Sequence, residues 1–181
     1  MRYGPILLLL ALALPARLVG GADWTWHNPH KVVPDHIEEY VWKEDSVELP
    51  EYPDKERMKE IVFGRTDTRY RFFIDPKTLR VADNDVVHYV LLLRSRSGAE
   101  NLMYEGIRCQ TGDYKTFAYG TRGGKFKALQ NPRWKEITET SNNWFRAELK
   151  RGYFCNPHRL NAVTAESILS RIEHPGQFRL D

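Results

Sequence analysis

The sequence predicts an α+β protein: a single domain with an antiparallel sheet, C-terminal helices packed on one face of it, and one disulfide. Three observations lead to this class. Segments with the composition of β-strands follow one another through the middle of the chain, helical spacing appears only after them, and the chain has two cysteines. Strands that come first and helices that come last are typical of α+β domains.

The N-terminal residues 1–22 have the three parts of a secretory signal peptide. Arg2 supplies a positive start, residues 6–14 form an apolar run, and small residues lead to Ala22. The run is shorter than the roughly 20 apolar residues that a membrane span needs. We therefore expect cleavage after Ala22, export to the periplasm and no membrane span.

The mature chain is expected to be short and nearly neutral. Removal of 22 of the 181 residues leaves 159, a length typical of one domain. Two of the 27 basic residues and none of the 24 acidic ones lie in the signal segment, so the mature net charge is +1. Nucleic-acid binders usually have many more basic than acidic residues, and binding to an anionic membrane surface requires clusters of basic residues. The nearly neutral charge therefore argues against both classes of function.

Residues 23–54 have no regular period, and we expect an irregular arm before the α+β domain of residues 55–181. Three tryptophans could anchor an interface, because large aromatic side chains dominate binding energies: Trp24, Trp26 and Trp42. Three histidines could ligate a transition metal: His27, His30 and His36. Metal sites need preorganised ligands, so a solvated arm is favoured, and we predict no metal and no cofactor.

Five segments are predicted strands because they are rich in β-formers and are separated by short turns. They are residues 69–75, 86–93, 100–108, 114–120 and 125–129. Residues 86–93 are apolar on both faces, which indicates a central strand covered on both sides. Short connections between successive strands indicate antiparallel pairing.

Two helices are predicted after Trp134. The first carries Phe145, Leu149 and Tyr153 at a spacing of four, begins at Asn142 or Asn143 and ends near residue 152. The second begins at Thr164, a good N-cap, and ends before the Pro175-Gly176 pair. Its apolar stripe comprises Ala165, Ile168, Leu169 and Ile172.

Cys109 and Cys155 both lie in the mature chain, 46 positions apart. In an oxidising compartment, two thiols most simply form one bridge. The alternatives are a reactive thiol pair, which would more often be a Cys-x-x-Cys motif, and two ligands of a metal, which usually needs four. A bridge would join the end of a central strand to the end of the first helix.

Three polar residues within predicted strands are candidates for catalysis: Glu105, Arg108 and His88. Glu105 shares a strand face with Met103 and is expected to be buried, where it could act as a general base or form an ion pair with an arginine such as Arg71. His88 lies in an apolar strand, and a histidine in such a strand is more often a core residue than a catalyst. Gly106 in mid-strand indicates a bulge or close packing under an aromatic ring.

Five short strings lie between Phe72 and Cys155 and are considered together. They are Phe72-Phe73-Ile74-Asp75, Val86-Val87-His88-Tyr89, Ser97-Gly98-Ala99-Glu100-Asn101, Tyr104-Glu105-Gly106-Ile107-Arg108-Cys109 and Tyr153-Phe154-Cys155. With these strings the chain resembles, over about residues 42–172, the cryptic neisserial protein-like family of uncharacterised exported proteins of Gram-negative bacteria. The resemblance implies a periplasmic address, supports pairing of Cys109 with Cys155, and implies no reaction.

The favoured function is therefore a non-catalytic periplasmic module that binds a partner protein or an envelope component. The first alternative is a small hydrolase or isomerase that uses Glu105 as its base, assisted by Arg108 or His88. The second is a metal-handling protein that uses the histidines of residues 23–54. The oligomeric state is not indicated by any feature of the sequence.

Overall fold

The computed structural model describes residues 48–65, 69–140 and 143–175, all within the unit formed by residues 44–181. The expected signal segment lies outside these residues. So do the candidate interface and metal residues of the arm, which are Trp24, Trp26, Trp42, His27, His30 and His36.

The described residues form an antiparallel sheet followed by two short helices. The strands are β1 Lys59–Ile61, β2 Tyr70–Ile74, β3 Arg80–Val81, β4 Val86–Ser95, β5 Glu100–Arg108, β6 Asp113–Gly120, β7 Phe126–Ala128 and β8 Lys135–Glu136. The helices are α1 Trp144–Glu148, which continues as a π-helix over Leu149–Phe154, and α2 Ala165–Glu173.

The order of strands in the sheet is β1-β2-β4-β5-β6-β7, with β3 added to β4 and β8 added to β6. Each pair of neighbours is antiparallel, as the short connections predict. Strand β4 lies in the interior, between β2 and β5, and residues 86–92 are all buried. The predicted central strand is therefore confirmed. The two- and three-residue strands β1, β3 and β8 were not predicted.

One face of the sheet is covered by the helices, and we call it the helix face. Its side chains and those of the helical segments form one continuous apolar cluster. Burial of this cluster is the main stabilising contribution of the helical layer, since apolar burial drives packing. The principal members are Tyr89, Leu91, Ile107, Phe145, Leu149, Phe154, Ile168 and Ile172.

The opposite face, which we call the cleft face, has its own smaller apolar cluster. It is covered partly by Met58 and by Tyr52, from the stretch that precedes β1. The sheet residues of this cluster are Phe73, Val90, Leu92, Leu102, Tyr104, Phe117 and Ala118.

The first helix differs from its prediction. It is α-helical only to Glu148 and then widens to a π-helix, in which the amide of Cys155 donates to the carbonyl of Lys150, 3.0 Å away. The wider turn lets Tyr153 and Phe154 both pack into the helix-face cluster. Asn143 precedes the helix but makes no side-chain capping bond.

The second helix and the disulfide are as predicted. Thr164 caps α2, and its hydroxyl oxygen accepts from the amide of Ser167 at 3.2 Å. Cys109 follows β5 directly, Cys155 follows the π-helix, and the two form a disulfide with their Cα atoms 5.5 Å apart. The bridge therefore joins the end of an interior strand to the helical layer. No helix in the described ranges combines the length and apolar character needed to cross a membrane.

Candidate functional site

The register of β4 and β5 separates the three candidate catalytic residues. His88 is opposite Gly106 and Tyr89 is opposite Glu105. Because successive side chains of a strand point to opposite faces, Glu105 lies on the helix face, whereas His88 and Arg108 lie on the cleft face. The structure therefore does not bring Glu105 together with the other two.

Glu105 is fully buried, and four donated hydrogen bonds satisfy its carboxylate. Arg146 of α1 binds it in bidentate fashion, with Nη2 2.6 Å from Oε1 and Nε 3.0 Å from Oε2. Thr116 donates to Oε1 at 2.6 Å, and the Tyr89 hydroxyl donates to Oε2 at 3.1 Å. The carboxylate thus has the complete set of partners that a buried charge requires.

The arginine that pairs with Glu105 is Arg146, not Arg71. Arg71 lies on β2 and pairs with Glu60 of the neighbouring β1 at the exposed surface. Burial disfavours the charge on Arg146, but the adjacent Glu105 carboxylate outweighs this effect and raises the pKa of the guanidinium. Burial, together with the charge of Glu105, raises the pKa of the Tyr89 hydroxyl well above 10.0.

The cleft face contains a cleft of about 640 Å³, which falls within the usual range for small-molecule sites. One side is formed by residues 48–51 and the other by side chains of the sheet and of the loop that precedes β8. The lining side chains used below are Glu48, Glu51, Lys77, Arg80, Asn84, His88, Tyr104, Arg108, Phe117 and Trp134.

The floor of the cleft is aromatic. The His88 ring stacks on Phe117 with centroids 5.4 Å apart, and the hydroxyl oxygen of Tyr104 lies 3.5 Å from His88 Nδ1. Gly106 makes room for this arrangement, because a Cβ atom there would lie 3.1 Å from Phe117 and from Val86. Of the two alternatives predicted for Gly106, a bulge or close packing under an aromatic ring, the structure shows the close packing.

A β-bulge shapes the same floor. The register of β5 and β6 shifts after Tyr104, so that Ala118 is opposite Tyr104 while Thr116 is opposite Glu105. Phe117 is the extra residue, and it joins Ala118 in the cleft-face cluster. Bulges of this kind redirect side chains and often occur beside functional sites.

The wall of the cleft is cationic. The Arg108 guanidinium lies 3.8 Å from the Trp134 ring centroid, and Lys115 Nζ lies 5.6 Å from the same centroid. Arg108 is only 9% exposed, so its side chain has little freedom. Nearby, Arg80 Nη2 approaches the Tyr104 hydroxyl at 3.4 Å.

His88 is held neutral at physiological pH. Burial, and to a smaller extent the positive charge of Arg80, lower the pKa of His88 from 6.5 to about 4. A neutral imidazole can donate or accept a hydrogen bond in the cleft. It is nevertheless a poor general base, since efficient bases have pKa values near the operating pH.

Sequence analysis identified His88 and Arg108 but missed four side chains that form the cleft with them. Strand alternation puts Tyr104 on the same face as Arg108, four positions further on, and this is a usable signal in the sequence. Trp134 lies in a loop, where no periodic pattern in the sequence indicates the direction of its side chain. The four are Arg80, Tyr104, Phe117 and Trp134.

The described residues contain no group of three or more His, Cys, Asp or Glu side chains that could hold a metal ion. The lining of the cleft combines a cationic wall with an aromatic floor.

Residues 37–173 match the CNP1-like family, and the chain belongs to this family. It is 27% identical over 167 residues to cryptic neisserial protein 1 of Neisseria gonorrhoeae (strain ATCC 700825 / FA 1090), a match that covers 82% of each chain. No solved structure matches the chain.

Proposed function

We propose that this protein is a non-catalytic binding module of the periplasm, and that the cleft between residues 48–51 and the sheet is its binding site. The observation that carries this proposal is that Glu105 lies on the helix face of the sheet, whereas His88 and Arg108 lie on the cleft face. The one fully buried carboxylate of the described strands is engaged by Arg146, whereas the cleft gathers cationic and aromatic side chains on a rigid sheet. The ligand is an envelope component or a group carried by a partner protein.

Binding is favoured over hydrolysis or isomerisation because the cleft is poorly equipped to move a proton. His88 is a weak base at neutral pH, and the hydroxyl near it belongs to Tyr104. Glu51, a carboxylate at the cleft, pairs with Lys77 at 2.5 Å. Glu105 lies on the other face of the sheet and cannot assist.

Two observations support export. The N-terminal residues have the composition of a cleavable signal, and the described domain contains a disulfide, which is typical of oxidising compartments. Cell fractionation followed by intact mass spectrometry tests this part of the proposal. We expect a periplasmic species that lacks residues 1–22 and has no alkylatable thiol; an uncleaved cytosolic species with two free thiols would contradict it.

The binding proposal is tested by screening the oxidised protein against metabolite-sized compounds of neutral, cationic and anionic type, with ¹H–¹⁵N spectra as the readout. We expect some compounds to shift resonances of His88 and Trp134 and to be recovered with unchanged mass. Resonances of Trp144 serve as an internal control, because its ring packs against Phe63 and Phe72 within the helix-face cluster. Chemical conversion of a compound that binds the cleft, or the absence of any cleft shift, would contradict the proposal.

A further inference from the structure

We propose that a second pocket, beside the Cys109–Cys155 disulfide, binds a small carboxylic acid whose acidic group pairs with the Lys150 ammonium and whose body is apolar. The pocket has a volume of about 320 Å³, close to the lower end of the range for small-molecule sites. It shares no described lining residue with the cleft. The inference therefore goes beyond the binding function proposed above and does not depend on it.

The lining of this pocket is largely apolar. Ile137 follows β8, Ala147 belongs to α1, and the loop after the π-helix contributes Pro157 and Leu160. The two side chains of the disulfide complete this apolar lining. Such a lining favours burial of a hydrocarbon body, because apolar surface is removed from water on both sides of the contact.

The π-helix supplies the cations of the pocket. Lys150 and Arg151 both line it and belong to the π-helical segment. Turns of this kind are rare and are frequently found at functional sites. Arg151 is bound to Glu139, which also lines the pocket, and to Glu148, so its charge is compensated. Within the described part of the chain, Lys150 has no carboxylate at salt-bridge distance.

The Lys150 ammonium lies close to Gly112, in the turn between β5 and β6. A Cβ atom at Gly112 would lie 2.7 Å from Lys150 Nζ, so the missing side chain provides the space that the ammonium occupies. Lys150 is itself half-buried. A half-buried ammonium without a counter-charge gains a charge-assisted hydrogen bond when a carboxylate enters the pocket, and this favours an acid over a neutral ligand.

Leu160 presents an apolar side chain at the open side of the pocket. It is 52% exposed, and its φ angle of +56° lies in the left-handed region that residues other than glycine rarely adopt. The amide of Leu160 donates to the carbonyl of Asn156 at 3.0 Å, which holds this conformation. Glycine or asparagine would fit the backbone better. Contact with the apolar body of a ligand would bury the exposed leucine.

The test titrates the full mature protein, with its disulfide intact, with hexanoate and with hexanamide, a neutral molecule of nearly the same shape. Methyl resonances of Ile137 and Leu160 in ¹H–¹³C spectra are the readout. We expect hexanoate to shift both and to bind at least about threefold more tightly than hexanamide, because the amide cannot form an ion pair. Butanoate should bind about tenfold more weakly than hexanoate, because it lacks two methylene groups.

Variants of Lys150 identify the cation. Lys150→Gln should weaken hexanoate binding about threefold or more and remove the preference over hexanamide, whereas Lys150→Arg keeps the charge and should retain that preference. Lys127→Gln is the matched control, since it removes an exposed lysine of β7 that does not line the pocket, and it should leave binding unchanged. Each variant is first checked for an unchanged unfolding midpoint in urea, and Lys150→Met replaces Lys150→Gln if that midpoint has shifted.

A variant of Leu160 separates binding from folding. Leu160→Asn suits the left-handed backbone, so the unfolding midpoint should stay the same or rise. Hexanoate binding should nevertheless weaken about fourfold, as expected for the loss of one buried methylene or more. A purely structural role of Leu160 would not produce this combination.

Dodecanoate distinguishes a small free acid from the chain of a lipid. It should bind no more tightly than hexanoate, because the pocket is close to the smallest size of a small-molecule site. Tighter binding of dodecanoate would overturn the small size assigned to the ligand.

The remaining outcomes decide between the parts of the inference. Equal binding of hexanamide and hexanoate would overturn the choice of an acid. Hexanoate binding that is insensitive to both Lys150→Gln and Leu160→Asn would overturn the site, and so would the absence of any shift at Ile137 and Leu160. The function proposed for the cleft is read independently at His88 and Trp134, so either proposal can fail while the other stands.

Discussion

The two faces of the β4–β5 pair differ in the surroundings of their charged and polar side chains. On the helix face, Glu105 and Arg146 are buried to 0% and 7% exposure and are bound to each other. On the cleft face, His88 and Arg108 line an open cleft; His88 is opposite Gly106, the residue after Glu105, and Arg108 is three positions beyond Glu105. The charge pair is sealed under helices, whereas His88 and Arg108 line a cleft.

The difference comes from what covers each face. The helical layer excludes water, so a charge there must find all its partners within the protein. The cleft face is covered only partly by residues 48–58, and a cleft remains between this cover and the sheet. A buried ion pair and the lining of a cleft thus come from opposite faces of the same two strands.

The largest expected effect tests the sealed pair. Arg146→Met should lower the free energy of unfolding by about 3–5 kcal/mol, because it leaves the Glu105 carboxylate buried without a counter-charge. Urea unfolding measures the change. The double variant Glu105→Met/Arg146→Met should recover much of the loss, and Arg151→Met, at the exposed side of the same layer, should change stability by less than about 0.5 kcal/mol. A small effect of Arg146→Met would show that the pair is solvated in solution.

The second prediction concerns His88 on the cleft face. Its pKa is lowered to about 4, so the unfolded chain takes up the proton first as the pH falls below 6.5. The contribution of His88 is therefore fully present above pH 6.5 and is lost between pH 6.5 and 4, by about 3 kcal/mol at most.

The measurement is the free energy of unfolding as a function of pH for the wild type and for His88→Gln. The difference between the two curves should change across this window and be flat above it. An imidazole that titrates near 6.5 by NMR would contradict the burial described for this ring.

The third prediction concerns the floor of the cleft. Gly106→Ala places a methyl group 3.1 Å from Phe117 and Val86, and it should cost about 1–3 kcal/mol through overpacking. It should also shift the Trp134 indole resonance, because Phe117 packs edge-on against that ring. Gly152→Ala is the control, since a Cβ atom there meets nothing within 4 Å. Equal effects of the two substitutions would refute close packing at Gly106.

The smallest expected effect concerns the cover of the helix face. Thr164→Ala removes the N-cap of α2 and should cost about 1 kcal/mol, whereas Thr164→Ser keeps the hydroxyl and should cost much less. Thermal unfolding compares the two variants. Ligand-responsive resonances of the cleft should be unchanged in both, because α2 lies on the other side of the sheet; a shift at Trp134 would mean that the faces are coupled.

Local sequence patterns predicted the strands and caps that have strong local signals. The apolar run of β4 and the capping hydroxyl of Thr164 are examples, and the two cysteines form the expected bridge. The alternation rule also separates Glu105 from Arg108, because three positions along a strand reverse the face. That separation weakens the proposed catalytic group without any structural information.

What could not be predicted depends on partners distant in sequence. Arg146 is 41 positions from Glu105, and nothing local marks it as the partner in place of Arg71. A strand as short as β3 forms only because its backbone can pair with that of β4. The cleft itself needs the register between β4 and β5, which brings His88 opposite Gly106, and the path of the loop that carries Trp134.

The disulfide makes the domain resistant to separation after proteolysis. Cys109 and Cys155 enclose β6 to β8, the hairpin turn at residues 121–125 and the start of the helical layer. A protease that cuts the exposed turn between Thr121 and Lys125 would produce two fragments of unequal mass that still migrate as one species. Only a reductant would release them, so nicked protein would remain one covalently held particle wherever the disulfide stays oxidised.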